Sequence, residues 1–253
     1  MEENSAKGNI EALAEILRNS GRIVFFTGAG VSTESGIPDF RSADGIYNQK
    51  IGRTVSPEEM ISHSYYVRYP AEFFDFYKEK LIYPDASPNA AHRAMAALEK
   101  MDKVRGVVTQ NIDGLHQKAG SEKVYELHGS VLRNYCEKCG KFFGVETVLE
   151  TPEHGVPACS CGGRIKPDVV LYEEALDDRV VSGAVRAITE ADTLVIGGTS
   201  LVVYPAAGLI RYFRGKKLVL INQSVTQADS EADLIVRGKI GEVMKEVMTL
   251  LNS

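Results

Sequence analysis

The sequence contains no apolar stretch long enough to cross a membrane, although 44% of its 253 residues are hydrophobic. Its first residues, Met1-Glu-Glu-Asn-Ser, lack the basic and apolar parts of a secretory signal peptide. The net charge is only −5, and the chain has neither a basic block of the kind that binds nucleic acid nor an acidic tail. We therefore expect a cytoplasmic protein that binds neither membranes nor nucleic acids directly.

Cysteine is also scarce, and the four cysteines stand in two close pairs. In a reducing compartment such cysteines are candidates for metal ligands and not for disulfides. Each pair is followed by glycine, in Cys136-Glu-Lys-Cys139-Gly140 and in Cys159-Ser-Cys161-Gly162. Four thiolates fill the tetrahedral shell of zinc and leave no position for water, so we predict one structural zinc ion. The single residue within the second pair departs from the commoner spacing of two.

The glycine fingerprint of ordinary dehydrogenases is missing. An apolar run at 23–26 leads into Gly28-Ala29-Gly30, but Thr33 stands where the third glycine of that fingerprint would be. A strand that feeds a glycine-rich turn can bring backbone N–H groups against a phosphate. A turn without a ligand would explain the glycines alone, but not the rigid polar and aromatic cluster Pro38-Asp39-Phe40-Arg41 that follows. This stretch therefore predicts a phosphate site outside the dehydrogenase pattern.

Apolar runs alternate with helical patterns along the chain, and most of the runs end in small or polar residues. Strands are predicted at 23–26, 104–108, 124–127, 193–196, 217–221 and 234–236, and helices at 9–19, 58–81, 89–101 and 240–251. This alternation predicts an α/β fold, with a Rossmann-like parallel sheet, helices on both faces and a small inserted zinc-ribbon and helical domain. Ligands of such sheets bind beyond the carboxyl ends of the strands. Gln110, Asn111, Asp113 and His128 follow two of these strands directly, which makes them candidates for chemistry.

The predicted organisation has three parts. Residues 1–41, 93–131 and 167–253 form the Rossmann-like domain. Residues 42–92 form a helical module with a long polar loop at its start, and such a loop beside a ligand site is typical of a lid. Residues 132–166 form the zinc-binding module.

Five segments, in this order, closely resemble those of the sirtuins, the NAD-dependent protein-lysine deacylases. They are Gly28-Ala-Gly-Val-Ser-Thr33 with Ser35-Gly-Ile-Pro-Asp-Phe-Arg41, Thr109-Gln-Asn-Ile-Asp-Gly-Leu-His116, Glu126-Leu-His-Gly129, the cysteine pairs, and Gly198-Thr-Ser-Leu-Val-Val-Tyr-Pro205. The resemblance covers almost the whole chain. It implies an enzyme that uses NAD as a co-substrate and transfers the acetyl group of acetyl-lysine to ADP-ribose, releasing nicotinamide, O-acetyl-ADP-ribose and free lysine.

The resemblance also implies the roles of individual residues. His128 would be the general base, which agrees with the pKa range of histidine, and Asn111 would also be catalytic. The implied NAD-binding residues are Gly28, Ala29, Gly30, Thr33, Asp39, Phe40, Arg41, Gln110, Asn111, Ile112, Asp113, His128, Gly198, Thr199, Ser200, Asn222, Gln223, Lys239 and Ile240. Within this set the two glycine-containing loops would meet the diphosphate, Asn222 the adenosine ribose, and Lys239 with Ile240 the adenine.

Acetyl-lysine proteins or peptides are the implied partners, and they would bind by strand addition. The implied flanking residues are Val169, Val170, Leu171 and Tyr172 on one side and Val202, Val203 and Tyr204 on the other. Where many sirtuins have Phe-Gly-Glu, this chain has Tyr172-Glu173-Glu174. Desuccinylating sirtuins carry a Tyr-x-x-Arg pair at positions that align here with Phe74 and Tyr77, so we expect deacetylation to exceed desuccinylation.

Three other functions remain open from the sequence. ADP-ribosyl transfer to protein would use the same cleavage of NAD with another nucleophile. A non-enzymatic module that binds NAD or displays a zinc ribbon would not need a base such as His128. An ordinary NAD oxidoreductase would transfer hydride and return the dinucleotide intact.

Overall fold

The centre of the computed structural model is a six-stranded parallel sheet, and the structure describes residues 2–40, 45–48 and 55–253. Its strands are β1 (Ile23–Thr27), β2 (Val104–Thr109), β3 (Val124–Glu126), β7 (Thr193–Gly197), β8 (Lys217–Asn222) and β9 (Leu234–Arg237). Their order across the sheet is β3-β2-β1-β7-β8-β9. The direction of winding reverses between β1 and β7, and ligands of doubly wound sheets bind at such a switch point. The predicted Rossmann-like fold is confirmed.

A second, antiparallel sheet of three strands lies beside the cysteines, of which Cys136 ends a strand and the other three lie in connecting segments. It contains β4 (Gly129–Cys136), β5 (Phe142–Phe143) and β6 (Ile165–Val169), in the order β5-β4-β6. This sheet begins directly after His128, and β6 leads back toward the large sheet.

Helices cover both faces of the parallel sheet. The helices of the described residues are α1 (Glu2–Asn19), α2 (Pro57–Met60), α3 (His63–Arg68), α4 (Pro70–Leu81), α5 (Ala90–Lys100), α6 (Leu115–Lys118), α7 (Val145–Leu149), α8 (Asp178–Glu190) and α9 (Ile240–Asn252). Of these, α1, α5 and α9 cover one face of the sheet and α8 covers the other. Side chains of a strand alternate between the faces, so Phe25 packs with α1, α5 and α9, whereas Phe26 packs with α8. Every residue of β1 is buried, as a doubly covered parallel strand requires.

The region predicted to be helical at 58–81 is helical in the structure, where it is divided into α2, α3 and α4. The Ser62 side chain accepts a hydrogen bond from the Tyr65 N–H and so starts a new helix. Pro70 starts the next one, since proline has no N–H to continue the preceding helix. The three helices pack around an aromatic core that is separate from the two cores on the faces of the parallel sheet. In it Phe73 and Tyr77 stack with their ring centroids 5.6 Å apart.

Among the described residues, no helix combines the length and the apolar character that a membrane span needs.

Candidate active site

The loops that follow β1 and β7 are packed against each other at the switch point. The Gly28 N–H donates to the Gly197 carbonyl at 3.3 Å, and the Gly30 N–H donates to the Gly198 carbonyl at 2.8 Å. A Cβ on Gly30 would lie 2.8 Å from the Gly198 Cα. Gly198 itself has a φ of 61°, in the left-handed region that favours glycine. The glycines are therefore needed for the close approach of two backbones.

This contact uses two of the backbone amides in the first loop. The N–H groups of Gly28 and Gly30 are used inside the protein, and a phosphate cannot take both of them without breaking the loop contact. Within the part of the chain that the structure describes, the Ala29 and Ser200 N–H groups have no hydrogen-bond partner. These two amides, one from each loop, are therefore candidates for binding an anion at the switch point.

Gln110 connects the ends of several strands. Its backbone N–H donates to the Thr27 carbonyl at 3.0 Å, at the end of β1. Its side-chain amide donates to the Thr199 hydroxyl at 3.0 Å, in the loop after β7. Its own carbonyl lies 3.0 Å from Nδ1 of His128, which follows β3. The polar residues at the predicted strand ends are thus brought together.

The hydrogen bond to Gln110 determines the protonation of the His128 ring. A carbonyl can only accept, so Nδ1 carries the proton and Nε2 of the neutral ring carries a lone pair. Burial lowers the pKa of His128 below its ordinary value, although the Gln110 carbonyl opposes this by favouring the charged form. At neutral pH the ring is therefore neutral and can accept a proton at Nε2.

A second polar chain lies beside His128, and its central residue was missed by the sequence analysis. The hydroxyl of Ser32, which is buried, donates to Asp113 Oδ2 at 2.6 Å and accepts from the Asn111 amide at 3.1 Å. The Leu115 N–H donates to the other oxygen of Asp113 at 2.9 Å. Burial raises the pKa of Asp113, and the hydrogen bonds from Ser32 and Leu115 oppose that change.

Asn222 and Ile240 contact the loop after β7 and the end of that strand. The Asn222 amide accepts from the Thr199 N–H at 3.1 Å and donates to the Thr199 carbonyl at 3.0 Å, so it holds the loop after β7. Ile240 is buried beneath Gly197, where a Cβ would meet its side chain. Lys239 is exposed beside it, as is Gln223 after β8.

Phe40 packs against the aromatic core of the helical module, as does Ile112 after β2, so these residues form the border of the site toward that module. The Tyr47 N–H donates to the Phe40 carbonyl at 2.9 Å, and the two rings lie 5.4 Å apart between centroids. The Ile46 N–H donates to the Asp39 carbonyl at 2.8 Å. Thr33 is exposed, and its hydroxyl donates to the Gly30 carbonyl at 3.0 Å. Arg41 and most of the predicted lid loop lie outside the described residues.

The first predicted peptide segment is attached to the same centre. The Val170 N–H donates to the His128 carbonyl at 3.0 Å. Val169 and Leu171 are buried, whereas the Tyr172 side chain is more exposed. The second segment, in the loop after β7, exposes Val202 and Tyr204 and half-buries Val203. The two segments therefore flank the strand ends that hold His128 and Thr199.

Four sulfur atoms meet in the smaller sheet, as the sequence predicts. The Sγ atoms of Cys136, Cys139, Cys159 and Cys161 all lie within 4.8 Å of one another. The closest pairs are 3.5 and 3.8 Å apart, far beyond a disulfide bond and close to the roughly 3.8 Å edge of a tetrahedron with 2.3 Å zinc–sulfur bonds. Gly140 and Gly162, one after each pair, take the left-handed conformation that turns the chain sharply.

These residues fit a zinc ion. The apolar core around them is small, with Cys136, Cys159 and Ile165 as its buried members, so a metal would supply most of the stability of the module. With four thiolates the shell is closed, and the zinc is structural.

Comparison with known proteins agrees with this geometry. The model of the Sir2 family matches residues 28–205. The chain belongs to the Sir2 family, the sirtuins. A relative from Clostridium perfringens, named NAD-dependent protein deacetylase, is 64% identical over 241 residues, which cover 94% of this chain and 98% of that protein.

Solved structures of sirtuins have the same fold. One, from work on the mechanism and regulation of Sir2 enzymes, is 41% identical and has a TM-score of 0.86, covering 97% of this chain and 98% of its own. Another, a Sir2 complex with a p53 peptide and NAD⁺, is 38% identical and has a TM-score of 0.82, covering 95% of this chain and 98% of its own. The predicted family is confirmed.

Some residues that build the sirtuin site gave no clear signal in the sequence. The Asn89 side chain donates to the Val31 carbonyl at 2.7 Å and to the Ser35 hydroxyl at 3.0 Å, and so supports the loop after β1 from the start of α5. Glu34 accepts from the Gly241 N–H at 2.6 Å and ties this loop to the start of α9. A polar residue directly before a helix, such as Asn89, reads as a helix cap, and only the tertiary contact adds the second role.

Proposed function

We propose that this sirtuin is an NAD-dependent protein-lysine deacetylase, which transfers the acetyl group of acetyl-lysine to the ADP-ribose of NAD. Nicotinamide, O-acetyl-ADP-ribose and free lysine are the products. The observation that carries the proposal is the neutral His128 ring. Its Nδ1–H donates a hydrogen bond to the carbonyl of Gln110, the residue that connects the ends of β1 and β7. The name of the relative at 64% identity supports the same activity.

The residues at the switch point suit a dinucleotide diphosphate. The Ala29 and Ser200 N–H groups would face the phosphates, and Asn222 would hold the second loop through Thr199. Gln110, Asn111, Ile112, Asp113 and Phe40 would surround the nicotinamide end. On the adenosine side, Gln223 and Lys239 remain exposed for contact, and Ile240 would contribute through its backbone. When bound, NAD supplies a ribosyl carbon with a good leaving group.

His128 would take a proton from a ribose hydroxyl at its Nε2 atom. Lowering of the pKa by burial keeps the ring neutral at working pH, and the bond to Gln110 keeps Nε2 free of its own proton. Asn111 would be oriented by Ser32, which Asp113 holds in turn. Phe40 would exclude water, because water at the ribosyl carbon would only hydrolyse NAD.

The acetyl-lysine peptide would lie as an added strand between the segments at 169–172 and 202–204. The hydrogen bond between Val170 and the His128 backbone supports this arrangement, because it fixes the first segment next to the base. Main-chain pairing of this kind tolerates different peptide sequences.

For the chain as a whole we retain the predicted division. Residues 1–41, 93–131 and 167–253 would form the NAD-binding domain, 42–92 the helical module with the cofactor lid, and 132–166 the zinc-binding module. A cytoplasmic location fits the four cysteines, which are placed as metal ligands and not as disulfides.

Mass spectrometry of the products from NAD and an acetyl-lysine peptide tests the proposal. We expect equal amounts of O-acetyl-ADP-ribose and deacetylated peptide, and a loss of about a hundredfold or more in His128→Ala. His154→Ala is the matched control, since the His154 side chain is 76% exposed and bonds to Asp75 on the helical module. Transfer of ADP-ribose to protein without O-acetyl-ADP-ribose, or reduction of NAD, would contradict the proposal.

A further inference from the structure

The hydroxyl groups of Tyr47 and Tyr172 lie 3.0 Å apart and form a hydrogen bond. One tyrosine belongs to the border of the site near Phe40, and the other ends the first predicted peptide segment. The bond therefore joins the region assigned to nicotinamide with the region assigned to the substrate peptide.

On the cofactor side, Tyr47 holds Phe40 by two contacts. Its N–H donates to the Phe40 carbonyl at 2.9 Å, and its ring lies 5.4 Å from the Phe40 ring. The neighbouring Ile46 is buried in the aromatic core of the helical module, which anchors the Tyr47 backbone. The position of the Phe40 ring thus depends on the position of Tyr47.

On the peptide side, the backbone of Tyr172 is held on both flanks. Its N–H donates to the Ile61 carbonyl at 3.1 Å, and its carbonyl accepts from the His63 N–H at 3.0 Å. The next residue, Glu173, has a φ of 76°, and its carboxylate accepts from the N–H and the hydroxyl of Ser64 at 2.9 and 2.7 Å. Glu173 therefore attaches this segment to the first turn of α3. A fixed Tyr172 can act as an anchor for another side chain.

The Tyr172 hydroxyl is a feature of this chain. Where it has Tyr172-Glu173-Glu174, the resemblance to many sirtuins predicts phenylalanine, with the same ring and no hydroxyl. Replacing Tyr172 by phenylalanine therefore removes one hydrogen-bonding group and leaves the packing of the ring unchanged.

We propose that Tyr172 is a positioning residue for the deacetylation reaction, and that it acts through Tyr47 to hold Phe40 over the reacting end of NAD. The inference rests on the proposed function, which assigns to Phe40 the exclusion of water. Without the hydroxyl bond, Tyr47 loses its tie to the fixed segment and the Phe40 ring shields the ribosyl carbon less well. More NAD is then hydrolysed by water for each acetyl group transferred, and NAD is bound less tightly.

Steady-state kinetics on Tyr172→Phe, Tyr47→Phe and the double variant test the inference. We expect each single variant to raise the KM for NAD roughly two- to tenfold, the range that one neutral hydrogen bond supports, with kcat changed less. The ratio of nicotinamide to O-acetyl-ADP-ribose should rise above the wild-type value. The effect in the double variant should be smaller than the product of the two single effects, because both substitutions remove the same bond. A role in folding alone would not change the product ratio.

Tyr135→Phe is the matched control, since Tyr135 is an exposed tyrosine on the smaller sheet that packs against Phe142, and it should behave as wild type. Wild-type NAD KM and product ratio in both single variants would overturn the inference, and so would additive effects in the double variant. Absence of O-acetyl-ADP-ribose in the wild type would instead refute the proposed function, and the inference with it.

Discussion

Substitution of Gly30 by alanine is the sharpest test of how the two loops at the switch point are built. The new Cβ would lie 2.8 Å from the Gly198 Cα and 2.9 Å from the Gly198 carbonyl oxygen. Ordinary contacts between carbon atoms are about 3.5–4.0 Å, so the loops must separate by on the order of 1 Å. Both neighbours are backbone atoms and cannot rotate away as a side chain can. The Gly30 N–H would then leave hydrogen-bonding range of the Gly198 carbonyl, from which it is 2.8 Å away at present.

The expected magnitude follows from these contacts. Overpacking costs about 1–3 kcal/mol and the lost hydrogen bond about 1 kcal/mol, so we expect the free energy of unfolding to fall by about 2–4 kcal/mol. Because the Ala29 N–H moves away from the Ser200 N–H, affinity for ADP-ribose should fall at least about tenfold. Urea unfolding measures the first quantity and titration calorimetry with ADP-ribose the second.

Gly8→Ala is the matched control, because a Cβ on Gly8 in α1 would meet nothing within 4 Å. This variant should bind ADP-ribose as wild type does and be more stable by up to about 1 kcal/mol, from helix propensity. If Gly30→Ala unfolded and bound ADP-ribose like the wild type, the close approach of the loops would not be what requires glycine.

Three further predictions follow from other parts of the structure. The buried rings of His92 and His116 lie 4.8 Å apart, and burial lowers their pKa values to about 4 and about 3. In the unfolded chain histidine binds protons near pH 6.5, so the contribution of these two neutral rings to the free energy of unfolding is fully present above that pH and is lost as the pH falls toward 4. Urea unfolding at pH 5 should therefore give a free energy of unfolding about 2–4 kcal/mol lower than at pH 7. Equal values at the two pH values would contradict the burial argument. Metal analysis should find one zinc per chain, and a strong chelator or Cys139→Ser should lower the thermal midpoint; an unchanged midpoint would exclude a stabilising metal. Phe74 and Tyr77, at the positions of the Tyr-x-x-Arg pair, are uncharged and fully buried in an aromatic core, so no cation is present there to bind a succinyl carboxylate. The kcat/KM for an acetyl peptide should therefore exceed that for its succinyl version by about a hundredfold or more. Comparable values would refute this prediction.

Local patterns in the sequence predicted the fold class and the family, and both are confirmed. Apolar runs such as 23–26 fit strands that are covered on both faces, and the small or polar residues that follow these runs mark the edge of the sheet where ligands bind. The cysteine pairs are also a local pattern, because two nearby thiols followed by glycine are typical of a metal-binding turn in many different folds. These features depend on neighbours a few residues apart.

Other features depend on contacts between distant segments, and only the tertiary structure decided them. The Gly30 N–H donates to the carbonyl of Gly198, which is far along the chain and adjacent only because the sheet reverses its winding there. Ser32 has no separate signal in the sequence, and its role arises when the segment after β2 brings Asn111 and Asp113 to it. A hydrogen bond between such segments leaves no periodic or spacing signal in the sequence, since each partner satisfies only its own local rules. The chain alone therefore determines which elements form, whereas their packing determines which polar groups are used internally and which remain for a ligand.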